Sequence, residues 1–348
     1  MSHKFPYKWN LADGYPAKGI EAHGLKVFGT FICGGGSTMG YKLAGFDHIG
    51  GVEIDPKVAE VYKTNHNPKH LFVEDIREFN QRKELPEELY NLDILDGSPP
   101  CSSFSMAGNR EKDWGKEKVF REGQAKQRLD DLFFDYIALA KRLQPKVVIA
   151  ENVKGMLQGN AKAYVKRIKS EFEAAGYVVQ LFLLNAASMG VPQKRERVFF
   201  VCQRKDLNLP KLFLKFDEEI IPYKIFEDLT DQKEVQNRNT RTYLGWIKSK
   251  SGQTFASGIG DGGSMFGYAK INRDDVAKTV VSSNGTYEWH DRIFRKINNK
   301  EYKQIGTFPL DYNFKKIEPK YLIGMSVPPV MTAQIAHQIY LQWFKTAE

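Results

Sequence analysis

The chain has few cysteines and no long apolar run, and each shortage excludes a class of protein. Its 348 residues include only three cysteines, Cys33, Cys101 and Cys202, which are far apart and form no C-x-x-C pair. This argues against a disulfide framework and against a zinc site. No run of 18 apolar residues exists, and the first 24 residues lack the apolar core of a signal peptide. We therefore expect a reducing, cytoplasmic setting, no membrane span and no metal.

Acidic residues are outnumbered by basic ones. The chain has 51 Lys and Arg against 42 Asp and Glu, a net charge of +9. The excess is uneven, because residues 231–300 alone carry 12 basic against 7 acidic side chains. A basic surface suits a polyanionic partner such as nucleic acid, although charge alone is a weak sign. The length allows one large domain with an insertion, or two domains.

The first 205 residues alternate between strand-like and helical patterns. Short apolar runs predict strands over 25–32, 48–54, 71–73, 92–95, 146–150, 177–184 and 198–202. Amphipathic spacing predicts helices from Tyr41, over 57–63, 129–143 and 161–175, and near the end of the chain over 331–344. This alternation predicts an α/β fold with a doubly wound, Rossmann-like sheet.

A glycine-rich turn, CGGGSTMG over 33–40, connects the first predicted strand to the first helix. Such a turn lets a ligand approach the backbone, and a helix N-terminus offers free N–H groups. A plain tight turn between strand and helix is the alternative. Glu53 ends the second strand, where a carboxylate suits a ribose diol. Asp75 follows the third strand and is expected either to accept from the amine of a base or to cap a helix.

Cys101 follows an apolar run and two prolines in NLDILDGSPPCSSFS. Pro99 and Pro100 end the strand and stiffen the turn after it, which is a good setting for a nucleophilic thiol. A buried, inert cysteine is the alternative. Residues 108–127 are dense in charge, carry three glycines and have no apolar face. Their position directly after Cys101 predicts a lid.

Charged residues also follow later strands. Glu151 ends the strand that begins at 146, and Arg195 and Arg197 lie two residues apart and so share one face of a strand. From about 206 to 291 the α/β rhythm disappears, apart from a short strand predicted over 278–282. Residues 237–268 mix Gly, Ser, Asn and Thr with aromatic side chains, which fits a nucleic-acid reading surface or any loop-rich insertion.

Five segments of the chain, taken together and in this order, resemble the DNA cytosine-5 methyltransferases. They are 31–36 with Gly40, the Pro-Pro-Cys of 99–101, the Glu-Asn-Val of 151–153, QKRER over 193–197, and GMSVPP over 324–329. The chain departs from the family pattern at four places. Cys33 replaces the first glycine of the cofactor loop, Ser102 replaces a glutamine, and Met325 replaces an asparagine. In addition, Gln304-Ile305-Gly306 stands where Arg-Leu-Gln is usual. None of these departures removes a catalytic group.

The resemblance implies a role for each motif residue. Cys101 would add to C6 of a cytosine flipped out of the duplex, and Glu151 would hydrogen-bond or donate a proton toward N3. Arg195 and Arg197 would hold O2 and a flanking phosphate. The methyl group would come from S-adenosylmethionine, held by Phe31, Gly35, Gly36, Glu53, Ile54, Asp75, Ile76, Pro100, Ser326 and Val327. Contacts to DNA are assigned to Ser105, Gln193 and Thr279.

The resemblance also predicts organisation and partners. Residues 1–205, with an irregular leader over 1–24, would form the catalytic, cofactor-binding domain. Residues 206–290 would form a smaller, loop-rich target-recognition domain, and 291–348 would return to the catalytic domain. Double-stranded DNA is the expected partner, with a cognate restriction endonuclease as a further candidate. The chain resembles a prokaryotic or phage modification enzyme, and we expect a monomer in the cytoplasm of a prokaryotic or phage-infected cell.

Three alternatives stay open at this point. A tRNA cytosine-5 methyltransferase would share the fold, but that branch carries a Cys-Phe-Thr signature, and no cysteine here precedes Phe-Thr. A dinucleotide-dependent oxidoreductase would explain the glycine turn and Glu53 but not Cys101, Glu151 and the two arginines. A non-catalytic DNA-binding protein would have no use for Cys101 and Glu151 together.

Overall fold

One seven-stranded sheet forms the centre of the molecule. The computed structural model describes residues 3–100, 132–159, 161–260, 265, 267–283 and 285–345, and the backbone alone of 117–118 and 127–128. The strand order is β3-β2-β1-β4-β7-β9-β8. Its strands are β1 Lys26–Thr30, β2 Asp47–Val52, β3 His70–Phe72, β4 Ile94–Gly97, β7 Val147–Val153, β8 Tyr177–Asn185 and β9 Glu196–Arg204. A two-stranded antiparallel pair, β5 Glu117–Lys118 and β6 Gln127–Arg128, lies outside this sheet.

Ten α-helices surround or follow the sheet within the part of the chain that the structure describes. They are α1 Gly36–Leu43, α2 Pro56–His66, α3 Ile76–Gln81, α4 Leu132–Leu143, α5 Ala161–Ala174, α6 Arg241–Lys248, α7 Phe255–Ile259, α8 Asn299–Ile305, α9 Pro319–Met325 and α10 Pro329–Ile339. None of the described helices is long and apolar enough to cross a bilayer.

The path of the chain through the sheet creates a crevice. From β1 the chain moves outward to β2 and β3, and then returns to the other side of β1 to form β4 and β7, all parallel. The loops that follow β1 and β4 therefore diverge, and open α/β sheets bind ligands at this point. The last pair is different, because β9 runs antiparallel to both β7 and β8. The predicted α/β class and doubly wound sheet are confirmed.

The two faces of the sheet are covered by separate apolar clusters. One face packs against α1 and α10, and the other against α3, α4 and α5. Gly40 lets α1 approach α10 closely, since a Cβ there would overlap Thr332 and the Pro329 carbonyl. The leader has little regular structure but is part of this core: Phe5 and Trp9 are buried, and the Trp9 indole donates to the Thr307 carbonyl at 2.9 Å.

A third, smaller cluster lies within the segment that lacks the α/β rhythm. Phe255, Trp289 and Phe294 form its centre, beside the short parallel pair β10 Tyr268–Lys270 and β11 Tyr287–Trp289. The sequence patterns did not predict α6, α7, β10 or β11. The predicted strand over 278–282 is wrong, because these residues form no regular element. Their backbone instead bonds to side chains of the segment that leads into β9.

Helix boundaries also differ from prediction. The first helix begins at Gly36, inside the glycine-rich turn, because Gly35 takes the left-handed conformation that starts it (φ +74°). The last helix begins at Pro329 and ends at Ile339, and a π-type turn, Tyr340–Phe344, completes the predicted stretch. Asp75 caps α3, which confirms one of the two roles predicted for this residue.

Candidate active site

A cleft opens at the point where the chain reverses direction across the sheet. It encloses about 850 Å³, counted with the solvent at its mouth. Residues that follow the carboxyl ends of β1 to β4 line it, together with two from α9: Phe31, Cys33, Glu53, Ile54, Asp55, Asp75, Ile76, Ser98, Pro100, Tyr321 and Met325. A smaller cavity of about 350 Å³ shares Phe31, Cys33, Ser98 and Met325 with the cleft and adds Gly36, Ser326 and Val327. Of the ten predicted cofactor residues, only Gly35 lines neither space.

The loop after β1 is strained where it borders both spaces. Phe31 (φ +54°) and Cys33 (φ +48°) occupy the left-handed region that non-glycine side chains disfavour. Strain of this kind persists only where the surroundings enforce it, and it is concentrated at functional sites. It also explains why glycine is the usual residue at position 33 in the family that this chain resembles.

The first and last predicted motifs meet at Gly36. A Cβ at this residue would overlap the Val327 carbonyl and crowd the Ser326 side chain. The Ser326 hydroxyl donates to the Leu322 carbonyl at 2.8 Å, which fixes the end of α9. Only a residue without a side chain therefore allows α1 to begin against residues 326–327, and this contact forms the wall of the smaller cavity.

Two of the carboxylates that line the cleft, Glu53 and Asp75, were predicted to bind the cofactor. Glu53 accepts from the backbone N–H groups of Cys33 and Asp55, both at 2.9 Å. Burial raises the pKa of Glu53 to about 6, so the carboxylate is ionised at neutral pH. Asp75 accepts from the Arg77 backbone N–H at 2.8 Å. Each carboxylate has lone pairs beyond those its backbone donors use, so both can accept from the hydroxyl or amine of a ligand.

Glu151 and Arg197 form an ion pair at the carboxyl end of β7. The Arg197 Nε lies 2.8 Å from Glu151 Oε1, and the side chains are only 13% and 12% exposed. The next residue, Asn152, is buried and donates from its amide to the Pro99 carbonyl at 2.9 Å. One strand end thus supplies a carboxylate and also anchors the two-proline turn that precedes Cys101. Asn152 was not predicted as a site residue, although it belongs to the Glu-Asn-Val segment.

Arg195 and Gln193 do not face an open surface. Arg195 is 2% exposed, and its guanidinium donates to the Val280 and Gly324 carbonyls at 3.2 and 3.0 Å. Burial, with Arg197 nearby, lowers the pKa of Arg195 well below its usual value. Gln193 is also buried and joins the Val280 N–H to the Ile305 carbonyl. Both side chains therefore hold backbone segments together in this structure, and the substrate contact of Arg195 and the DNA contact of Gln193 stay predictions.

Of the remaining predicted residues, the structure describes Thr279 but not Cys101 and Ser105. Thr279 is half-buried, and its hydroxyl donates to the carbonyl of Lys194, the residue between Gln193 and Arg195. Cys101 and Ser105 lie outside the described residues. The predicted lid over 108–127 also lies outside them, apart from the backbone of 117–118 and 127. Among the described residues, no three His, Cys, Asp or Glu side chains are grouped so that they could hold a metal ion.

Two of the three cysteines are held as unreactive thiols. Burial, with Glu53 nearby, raises the pKa of Cys33 to about 12. Cys202 is fully buried in β9, and burial raises its pKa well above the usual range. Because the thiolate is the nucleophile, neither residue suits covalent chemistry at neutral pH.

We predict that neither of these two thiols reacts with iodoacetamide at pH 8 within a time that fully alkylates glutathione. The thiolate fraction of Cys33 is then on the order of 10⁻⁴, given its raised pKa. Peptide mapping by mass spectrometry measures the alkylation of each cysteine separately. The same mapping after unfolding in denaturant is the control, and all three cysteines should then be modified. Alkylation of native Cys33 at a rate near that of glutathione would contradict this assignment.

Residues 25–341 match the family model described as C-5 cytosine-specific DNA methylase. The chain is 36% identical to the Type II methyltransferase M.NgoPII of Neisseria gonorrhoeae, over 90% of this chain and 95% of that protein. It is 43% identical to the Type II methyltransferase M.FnuDI of Fusobacterium nucleatum, over 53% of this chain and 48% of that protein. Spodoptera frugiperda DNMT2 has a similar fold, with a TM-score of 0.61 and 17% identity over 91% of this chain and 99% of that structure.

Proposed function

The chain belongs to the C-5 cytosine-specific DNA methylases, and we propose that it transfers a methyl group from S-adenosylmethionine to C5 of a cytosine in a specific duplex DNA site, through a covalent bond between Cys101 and C6. The observation that carries this proposal is the carboxyl end of β7. There Glu151 is paired with Arg197, and the Asn152 amide donates to the turn that precedes Cys101. Pro100 of this turn lines the cleft.

The residues around the cleft fit S-adenosylmethionine, which when bound supplies an electrophilic methyl group. Glu53 and Asp75 offer carboxylate oxygens to a ribose and to the amine of an adenine. Ile54 and Ile76 supply apolar surface beside them. Gly36, Ser326 and Val327 line the adjoining cavity, which suits the remainder of the cofactor.

Cytosine C5 is a poor nucleophile, and the chain's own residues must activate it. Addition of the Cys101 thiolate to C6 forms an S–C6 bond and makes C5 enamine-like. After C5 is methylated, loss of the C5 proton breaks the S–C6 bond and frees the thiolate. Since Cys33 and Cys202 are held as thiols, Cys101 is the cysteine left for this step.

Glu151 and Arg197 complete the activation. Negative charge moves toward N3 when the thiolate adds, and the Glu151 carboxyl is the group to hydrogen-bond or protonate that nitrogen. Arg197, at 2.8 Å from Glu151, orients the carboxyl and offers further N–H donors for the cytosine O2. Arg195 is better described as a positioning residue, because its guanidinium is bonded to two backbone carbonyls.

A cytosine inside a duplex must be flipped out before this chemistry, at a cost of roughly a few kcal/mol. We propose that residues 206–290 read the target and that residues 108–127 close over the flipped base. Support for the first part is the basic charge of 231–300 and its aromatic side chains. Ser105 and Thr279 are proposed to contact the DNA near the flipped nucleotide.

The relatives support a proposal about the biological setting. Both M.NgoPII and M.FnuDI are Type II methyltransferases, so we propose that this enzyme modifies the site of a cognate restriction endonuclease. We further propose a monomer that acts in the cytoplasm of a prokaryotic cell or a phage-infected host.

Bisulfite sequencing of DNA from cells that express the protein tests the reaction and identifies the site together. We expect protected cytosines in one short recurring sequence, and none in cells that express the Cys101→Ser variant. Purified protein should also transfer labelled methyl groups to duplex DNA at least about 100-fold faster than to tRNA, since target contacts discriminate between substrates by several kcal/mol. Preferential labelling of tRNA would instead favour an RNA methyltransferase of the same fold.

A further inference from the structure

Asp96 is a buried acid that the proposed reaction does not use. It lies in β4, one residue before the strand ends, and is 8% exposed. It lines the smaller cavity together with Ser326 and with Gly36 and Ser37 at the start of α1. Phe31 and Met325 line both this cavity and the cleft, so the two spaces adjoin. A carboxylate therefore borders the space proposed for the cofactor.

Among the residues that the structure describes, the groups that contact Asp96 do not neutralise its charge. The Tyr41 hydroxyl donates to Asp96 Oδ1 at 2.9 Å, and Ser37 supplies a second hydrogen bond. Of the described residues, Glu151 and the phenols of Tyr62 and Tyr136 also act on it electrostatically. None of these is a cation. Burial raises the pKa of Asp96 to about 7, with Glu151 adding to the effect, and burying a carboxylate is costly unless a cation pairs with it.

The same cavity has a second polar wall at the start of α1. This eight-residue helix begins at Gly36, and the first backbone N–H groups of a helix have no partner within the helix. They suit a carboxylate, whereas Asp96 suits an ammonium. An α-amino acid carries these two groups on adjacent atoms. Met325, where the family usually has asparagine, offers an ammonium only a weakly accepting thioether.

We propose that Asp96 binds the α-ammonium of the amino-acid end of S-adenosylmethionine, as a cofactor-specificity residue of this chain. The inference rests on the proposed function, because it assumes that the cleft binds this cofactor. The ammonium supplies a cation that no described residue offers to the buried carboxylate, and the Tyr41 hydroxyl holds the carboxylate by donating to its Oδ1. The start of α1 holds the neighbouring carboxylate of the ligand.

The test compares two ligands in two proteins by calorimetry at pH 7.5. The ligands are S-adenosylhomocysteine and its analogue without the amino group, and the proteins are the wild type and Asp96→Asn. In the wild type we expect the amino group to strengthen binding at least about tenfold, as a charge-assisted hydrogen bond in a buried site should. In Asp96→Asn this ratio should fall to about one, while the analogue binds both proteins equally.

The outcomes separate this inference from the function on which it rests. If the wild type binds neither ligand, the proposed cofactor is wrong. If it binds both but Asp96→Asn keeps the tenfold ratio, or weakens both ligands equally, Asp96 does not contact the ammonium. Tyr41→Phe removes the phenol but leaves the carboxylate, and it should keep a ratio well above one. Should Asp96→Asn fail to fold, a wild-type ratio near one would by itself overturn the inference, and a ratio retained in Asp96→Ser would do the same.

Discussion

Replacement of Cys101 by serine is expected to abolish methyl transfer while the cofactor still binds. A serine hydroxyl is not ionised at neutral pH, so the addition to C6 is lost. The fall in turnover should exceed about 10³-fold, in line with other removals of a covalent nucleophile. Transfer of labelled methyl groups to a duplex that contains the site measures the loss, and calorimetry with S-adenosylhomocysteine measures retained binding.

Cys202→Ala is the matched control for this variant. Cys202 is buried in β9, on the side of the sheet that packs against α4 and α5, so its removal should leave turnover within a few-fold of the wild type. DNA that carries 5-fluorocytosine at the target gives an independent readout, because the fluorine prevents loss of the C5 substituent. The wild type and Cys202→Ala should form an adduct that survives denaturation, and Cys101→Ser should form none. An active Cys101→Ser enzyme would refute the covalent mechanism.

Glu151→Gln is expected to lower turnover by about 10²–10⁴-fold, which is the usual contribution of a positioned acid. The amide is nearly the same size as the carboxyl, but it cannot supply a proton to N3 and leaves the Arg197 charge without its counter-ion. The effect should fall on kcat, with less change in KM for DNA, because the carboxyl acts on charge that develops during the addition. Steady-state kinetics on a short duplex measures both constants.

Glu196→Gln is the control for this substitution. Glu196 lies on β9 and pairs with Lys154 at 2.8 Å, as Glu151 pairs with Arg197, but both partners are about 40% exposed. An exposed ion pair contributes little to stability, so this variant should retain near-wild-type kcat. Equal losses in the two variants would indicate that Glu151 matters only for the integrity of the fold. Thermal melting of both proteins would then show matching destabilisation.

Prediction from sequence succeeded where local pattern and local structure coincide. The strands that bear the cleft are short apolar runs that end in glycine, proline or an acid, and the structure has them in the expected class of sheet. Most residues of the predicted cofactor set line the two cavities, because parallel strands bring their carboxyl ends to one edge. For Asp75 the sequence offered a helix cap and a ligand contact as alternatives. The structure shows that the residue caps a helix and also lines the cleft, so the two roles do not exclude each other.

Prediction failed where distant segments decide the outcome. Helices α6 and α7 have eight and five residues, too few for a periodic pattern, although Thr240 and Thr254 cap their first turns. Spacing placed Arg195 and Arg197 on one face but gave no sign that backbone from 280 and 324 would reach Arg195 first. Nothing in the sequence distinguishes Asp96 from other strand residues, because its hydrogen bond comes from Tyr41, 55 residues away in sequence.

The attachment that the side chains of Gln193 and Arg195 make to three later segments does not depend on the side chains of those segments. Its four hydrogen bonds all end on backbone atoms of Val280, Ile305 and Gly324. A segment of different sequence between the end of β9 and Val280 keeps the same attachment as long as its backbone follows the same path. The attachment therefore tolerates exchange of this segment, and if residues 206–290 read the target as proposed, a new target preference can be acquired with no compensating change in the cleft.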